Sequence, residues 1–231
     1  MKSNNLSPSK CALALVTILL LLQSSALAGP PLLCFPFEIG NARSLPWQGP
    51  SWESGRPDYD LGRLIADTLD LLSRDTPVIV RMETLRRATI YARKDPQLAD
   101  ALLNRMKARA LRDESNSLAW FDAGYLIESY RQAYWISKQS GESYWKFSQA
   151  DPRKDLDGYG LVLRAIQSRG GDAEMEFAAA LITTDGQRRK QSDEHLRRAI
   201  AGARAGSLLA KNLEYHLRRL GKSVADLRPG S

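Results

Sequence analysis

Between Leu61 and Gly221 the apolar residues recur at intervals of three and four, which predicts helices almost throughout and leaves little that reads as strand. Leu61, Leu64, Ile65, Leu69 and Leu72 form one stripe behind Asp58 and Asp60, two acids that suit helix caps. A second helix is expected over about 78–93, after Pro77, with Met82, Leu85 and Thr89 inward. A third starts at Asp95-Pro96, an acid at the N-cap with proline in the first turn, and buries Leu98, Leu102, Met106 and Ala110. A fourth follows Asn116 and Ser117 and runs to about Ser137. Trp120, Ala123, Ile127 and Tyr134 lie on one side of it, with Phe121 and Tyr125 on the next face, so it is widely buried. Two helices over about 157–168 and 172–183 are joined by Gly170-Gly171. The last pair is expected to be capped by Ser192 and Ser207, the second ending at Gly221 in the position after the helix.

Upstream of this region the pattern changes twice. Residues 11–22 are an apolar run broken only by Thr17, between a short segment carrying Lys2 and Lys10 and the stretch Gln23-Ser24-Ser25-Ala26-Leu27-Ala28. A membrane span needs about 20 apolar residues. A run of twelve, small residues before a cleavable bond and Gly29-Pro30-Pro31 beyond it predict an export signal over 1–28, with a periplasmic or extracellular mature protein. An uncleaved anchor is the other reading. No transmembrane span is expected after cleavage. Residues 29–57 hold six prolines and four glycines, with Phe35, Phe37, Trp47 and Trp52 between them. Large rings between helix breakers predict an extended arm pinned to an apolar surface, as a cap on the helices or as a docking arm for another protein. Residues 58–231 are expected to form a single helical domain.

Eight or nine helices joined by short turns predict an all-α fold, an antiparallel helix-hairpin array. Trp120, Ala123, Gly124 and Ile127 have the spacing of the first helix of a tetratricopeptide repeat, and Gly124 lets a neighbouring helix approach. Ala150-Asp151-Pro152 is similar to the end of such a repeat. Gly171-Asp172 with Phe177 and Ala180 resembles the turn and second helix of another, and Leu213, Leu217 and Gly221 echo a first helix. Candidate starts near 79, 117, 157 and 207 are 38, 40 and 50 residues apart, so the repeat is degenerate. Over about 79–221 the chain thus resembles a tetratricopeptide-like α-solenoid, with an irregular helical bundle as the competing architecture. The resemblance implies a concave surface that binds a protein or peptide partner, as a scaffold or adaptor.

Composition changes this picture little. Hydrophobic residues at 43% and charged residues at 26% are ordinary for a globular chain. Beyond the signal only Cys34 remains, between Leu33 and Phe35, which predicts a buried small hydrophobe and permits only an intermolecular disulfide, a dimer linked through Cys34. No nucleotide, P-loop, serine-hydrolase or zinc-protease motif occurs, so no catalytic residue, cofactor or metal ligand is assigned. His195 and His216, on consecutive helices, are read as solvated. Acid pairs at Asp58/Asp60, Asp67/Asp70, Asp113/Glu114 and Glu174/Glu176 leave open an envelope glycan hydrolase with two carboxylates.

Two surfaces remain as candidates. Half of the eighteen aromatic residues fall within 120–147, more than one stripe can bury, and Tyr130, Tyr134 and Trp135 with Arg131 are the expected binding groove. The mature chain keeps a modest excess of positive charge. Its clusters Arg188-Arg189-Lys190, Arg197-Arg198 and Arg218-Arg219 are a candidate surface for an anionic polymer or an acidic protein. Nucleic acid is not an expected partner for an exported chain.

Overall fold

A computed structural model describes residues 29–93, 95–140, 156–184 and 188–227. The expected signal segment and the rings of Tyr144, Trp145 and Phe147 lie outside the described residues, as does Ala150-Asp151-Pro152. The fold is all-α, and no strand occurs among the described residues. Its helices are α1 (Leu64–Leu71), α2 (Val78–Ala92), α3 (Pro96–Arg112), α4 (Ser117–Ser140), α5 (Gly158–Ser168), α6 (Ala173–Ile182), α7 (Arg189–Gly202) and α8 (Leu208–Arg219). Short 3-10 turns at Leu61–Arg63 and Ala225–Leu227 flank them.

The helix boundaries follow from local chemistry. Asp95 accepts from the amides of Gln97 and Leu98 with Pro96 in the first turn, and Asp172 does the same for Glu174 and Met175. Asp157 caps α5 through the Gly160 amide, and Ser207 caps α8 through the Ala210 amide. α8 stops at Gly221, whose positive φ of 68° lets the Lys222 amide reach back to the Leu217 carbonyl at 2.9 Å. Ser192 is not a cap. α7 starts three residues earlier, and Ser192 is buried within it with its hydroxyl donating to the Ala180 carbonyl at 3.0 Å.

Sequential helices pack on one another, most extensively α4 with α5 and α6 with α7, while α2 also touches α4 and α6, and α8 closes on α6 and α7. At the α4–α5 crossing a Cβ on Gly124 would stand 2.5 Å from the Gly158 carbonyl oxygen, and one on Gly158 would stand 2.7 Å from that of Gly124. The close approach expected of Gly124 is therefore present, with a second glycine opposite it.

α2 sits at the centre of this packing. Fourteen of its fifteen residues are buried, among them Arg81, Glu83 and Arg86, so burial extends well beyond the stripe of Met82, Leu85 and Thr89. Residues 29–57 lie over it. Leu32, Leu33, Phe35, Phe37 and Leu45 are buried, and the arm is seated on the helices as a cap. Its turns and extended stretches expose backbone groups that need partners, and helix side chains supply them. Arg86 donates to the carbonyls of Leu33 (3.1 Å) and Trp52 (2.8 Å), Arg87 to that of Leu45 (2.6 Å), and Tyr91 to that of Pro46 (2.5 Å). Gln132 accepts from the Leu32 amide at 2.8 Å. The Trp47 ring lies beneath both Arg86 and Arg87, at 4.7 and 5.4 Å.

Candidate functional site

The charges inside the molecule divide into groups that hold it together and groups that reach its surface. Glu83 takes Arg86 at 2.7 Å, Arg87 at 2.6 Å and the Phe37 amide at 3.0 Å. Burial alone would push its carboxyl up, but these partners hold it below the ordinary carboxylate range. Asp122 takes Arg81 at 2.7 Å and Arg109 at 3.0 Å, and here burial prevails and raises the carboxyl. The two carboxylates are sealed from solvent, with Arg81 and Arg86 buried beside them and Arg87 and Arg109 mostly covered, and their partners are internal. They are structural.

A second polar chain runs outward across α4, α5, α6 and α7. His195 is buried on α7 and its Nδ1 meets the buried Glu176 carboxylate of α6. Its Nε2 shares a hydrogen bond with the Tyr159 hydroxyl of α5 at 2.8 Å. Tyr159 is half-buried, and burial raises its hydroxyl while Arg188 works against that rise. The Arg188 guanidinium lies over the Tyr159 ring at 5.1 Å, and Arg198 reaches Glu176 at 3.4 Å. On the other side the Tyr159 amide donates to Glu128 of α4 at 3.0 Å, and Glu128 pairs with Arg131 at 2.7 Å. Burial raises the Glu128 carboxyl in spite of that arginine.

The two candidate surfaces therefore meet at Tyr159. Arg131 approaches it from α4, and Arg188 and Arg198 approach it from the start and middle of α7. One turn beyond Arg131, the Trp135 ring is 52% exposed and Tyr134 is half-buried under the Lys138 ammonium at 5.5 Å. Arg131, Arg188 and Arg198 thus form a rim around Tyr159 and its partners, and Trp135 lies one turn along α4 from Arg131. Tyr130 is not part of the rim: it is fully buried, and its hydroxyl donates to the Ala99 carbonyl at 3.1 Å. Arg189, Lys190 and Arg197 are exposed on α7. Arg218 and Arg219 belong to α8 instead, and Arg219 lies over Phe35 of the arm at 5.6 Å. Compared with protein-family profiles, curated proteins and solved structures, the chain matches none.

Among the described residues, all but Asp70 of the acids in these pairs have partners in the fold. Asp58 is held by Arg56 at 2.9 Å, Asp60 caps Gly62 at 2.9 Å, and Asp67 accepts from Tyr59 at 2.8 Å and Arg63 at 3.2 Å. These residues line an open depression of about 330 Å³ whose carboxylates already have partners. Glu174 accepts from the Ile79 amide, Asp113 from Ser115, and Glu114 pairs with Arg164. Cys34 is half-buried, and burial with Glu53 nearby pushes its thiol up to about 11, far from a reactive thiolate. No group of three or more potential metal-binding side chains occurs among the described residues.

Neither histidine is solvated, and the Tyr159–His195–Glu176 chain is what sequence reasoning missed. The available signal was positional: His195 shares a helix face with Ser192, Leu196 and Ala199, an inward stripe on which a polar ring needs buried partners.

Proposed function

We propose that the protein is an exported binding module of the cell envelope, which holds a segment of another protein along the rim from Trp135 to Arg198. The all-α architecture and the Gly124 crossing support an array of tetratricopeptide-like hairpins as its scaffold. The observation that carries this reading is the convergence of Arg131, Arg188 and Arg198 on Tyr159 and its carboxylate partners, with the exposed Trp135 one turn along α4 from Arg131. Tryptophan and arginine are the residues on which protein interfaces most often depend, and an indole beside ordered guanidinium groups suits an acidic segment that carries a large apolar side chain. The carboxylates of the rim are occupied by arginine and histidine, which favours binding over hydrolysis. A second reading, retention of an anionic polymer, draws on the exposed Arg189, Lys190 and Arg197.

Affinity capture from an envelope extract, with the wild type and the Tyr134→Ala/Trp135→Ala variant side by side, separates these readings. One or two stoichiometric proteins retained in moderate salt, and lost in the variant at an unchanged melting temperature, is the expected result. Equal capture by both forms would remove the rim from the account. Retention that collapses between low and moderate salt would point to the polymer.

A further inference from the structure

His216 is a fully buried imidazole on α8 with a hydrogen-bond partner at neither ring nitrogen. Buried polar atoms are paired in the great majority of cases, so a ring with two orphaned nitrogens needs a physical reason. Its surroundings are aromatic. Phe37 of the arm stacks on it at 4.6 Å and 18°, Phe35 meets it edge-on at 5.9 Å, and Phe177 of α6 and Tyr215 of α8 close the other sides at 5.4 and 5.3 Å. The ring is thus the floor on which residues 35–37 rest. The same stretch is clamped through its backbone: the Phe37 amide donates to Glu83, and the Asn212 side chain accepts from the Glu38 amide at 2.9 Å and donates to the Glu38 carbonyl at 2.8 Å.

We infer that His216 is an acid-operated latch: a proton on its ring lifts residues 30–39 off α2 and α8, with Gly40 as the hinge, while the helices stay folded. The neutral ring suits an aromatic box, whereas an imidazolium there has neither water nor an acceptor. The facing charges make matters worse. Arg86 from α2 and Arg219 from α8 itself are both cations that oppose protonation. Glu83, the acid that accompanies Arg86, has its oxygens committed to Arg86, Arg87 and the Phe37 amide, and it stays ionised in mild acid because those partners hold it low. Cys34 of the arm has its thiol raised, and α6 contributes the Phe177 ring. Gly40 already has a φ of 57°, a Cβ there would meet only Leu208, at 3.9 Å, and its amide donates to the Glu38 carboxylate at 2.8 Å. Beyond it Leu45 and Pro46 are tied to Arg87 and Tyr91, and before it the chain is held by Gln132, Arg86, Glu83 and Asn212, so the pivot falls between two anchored stretches and the lift breaks the bonds of the first.

The sign follows from where the proton binds better. Burial, then Arg86 and Arg219, lower His216 to about 3 in the closed form, and a wetted ring in the lifted form returns to about 6.5. Above pH 6.5 both forms are neutral and pH has no effect. Below it only the lifted form takes the proton, so opening becomes easier as pH falls, by about 30-fold at pH 5 relative to pH 7.5.

The amides of Phe37 and Glu38 report the movement directly, since each is bonded to a helix side chain. Hydrogen exchange on the full chain, corrected for intrinsic rates, is expected to show their protection falling about 30-fold from pH 7.5 to 5, with the amide of Leu85 in α2 unaffected. In His216→Phe, which keeps an aromatic ring but cannot be charged, the fall is expected to vanish. Unchanged protection in the wild type overturns the inference, as does an equal fall in His216→Phe or a parallel loss at Leu85, which would be global unfolding. Should that variant fail to fold, the imidazole resonance of His216 in the wild type decides: a ring still neutral at pH 5 together with the fall in Phe37 and Glu38 protection supports the latch, and either an ordinary midpoint near 6.5 or a neutral ring with unchanged protection sinks it.

Discussion

The seat of the arm and the rim around Tyr159 are made from the same residue types, yet they differ in where their charges end. At the seat, Arg86 and Glu83 are sealed from water and bonded on every side, to each other and to the backbone of residues 33–52. At the rim, the buried Glu176 and His195 lead through Tyr159 to guanidinium groups that solvent can reach, with Arg198 53% exposed. A buried and fully paired charge fixes one conformation, whereas a charge paired on one side and open on the other can change partners. Arginine content therefore says little about function here; exposure decides it. The histidines repeat the contrast, since His195 is bonded at both nitrogens and His216 at neither.

Removing the innermost charge tests this division most severely. Arg86→Ala leaves Glu83 buried without its main partner and frees the carbonyls of Leu33 and Trp52, and a loss of about 3–5 kcal/mol is expected from urea unfolding. A loss under about 1 kcal/mol would mean that the seat is no more structural than the rim. Tyr91→Phe is a gentler cut at the same place. It strips the Pro46 carbonyl and the Arg56 amide of their partner, which should lower stability by about 1–2 kcal/mol and raise exchange of the Arg56 amide. At the rim, Arg198→Ala breaks contacts of 3.4 and 3.7 Å from an exposed side chain, and a change of about 0.5 kcal/mol or less is expected. A larger loss there would move Arg198 into the structural class.

Local signals in the sequence carried the helices well, because caps and stops act over a few residues. Asp95-Pro96, Ser207 and Gly221 mark real boundaries, and Gly124 marks a real crossing. The extent of burial of α2 was hidden, since Met82, Leu85 and Thr89 mark only one inward stripe, and nothing local shows that Arg81, Glu83 and Arg86 have buried partners. Those partners lie as far as 53 residues away, at Leu33, and include backbone carbonyls that no pattern of side chains records. Tyr130 misled for a similar reason: only the Ala99 carbonyl, 31 positions back, shows that its hydroxyl is satisfied inside. The rim was half legible. Its arginines and Trp135 stood out by type, but Tyr159, His195 and Glu176 come from three helices with no shared spacing.

The clasp between Asn212 and Glu38 joins positions 174 residues apart. During synthesis the arm emerges long before the helix that clamps it, so this contact is made only after nearly the whole described chain is available. Closing so large a loop comes late and slowly in folding, and until then Phe35 and Phe37 lack the α8 part of their seat. A nascent chain in that state carries a sticky apolar segment, which makes the arm the stretch most in need of shielding before the last helix arrives.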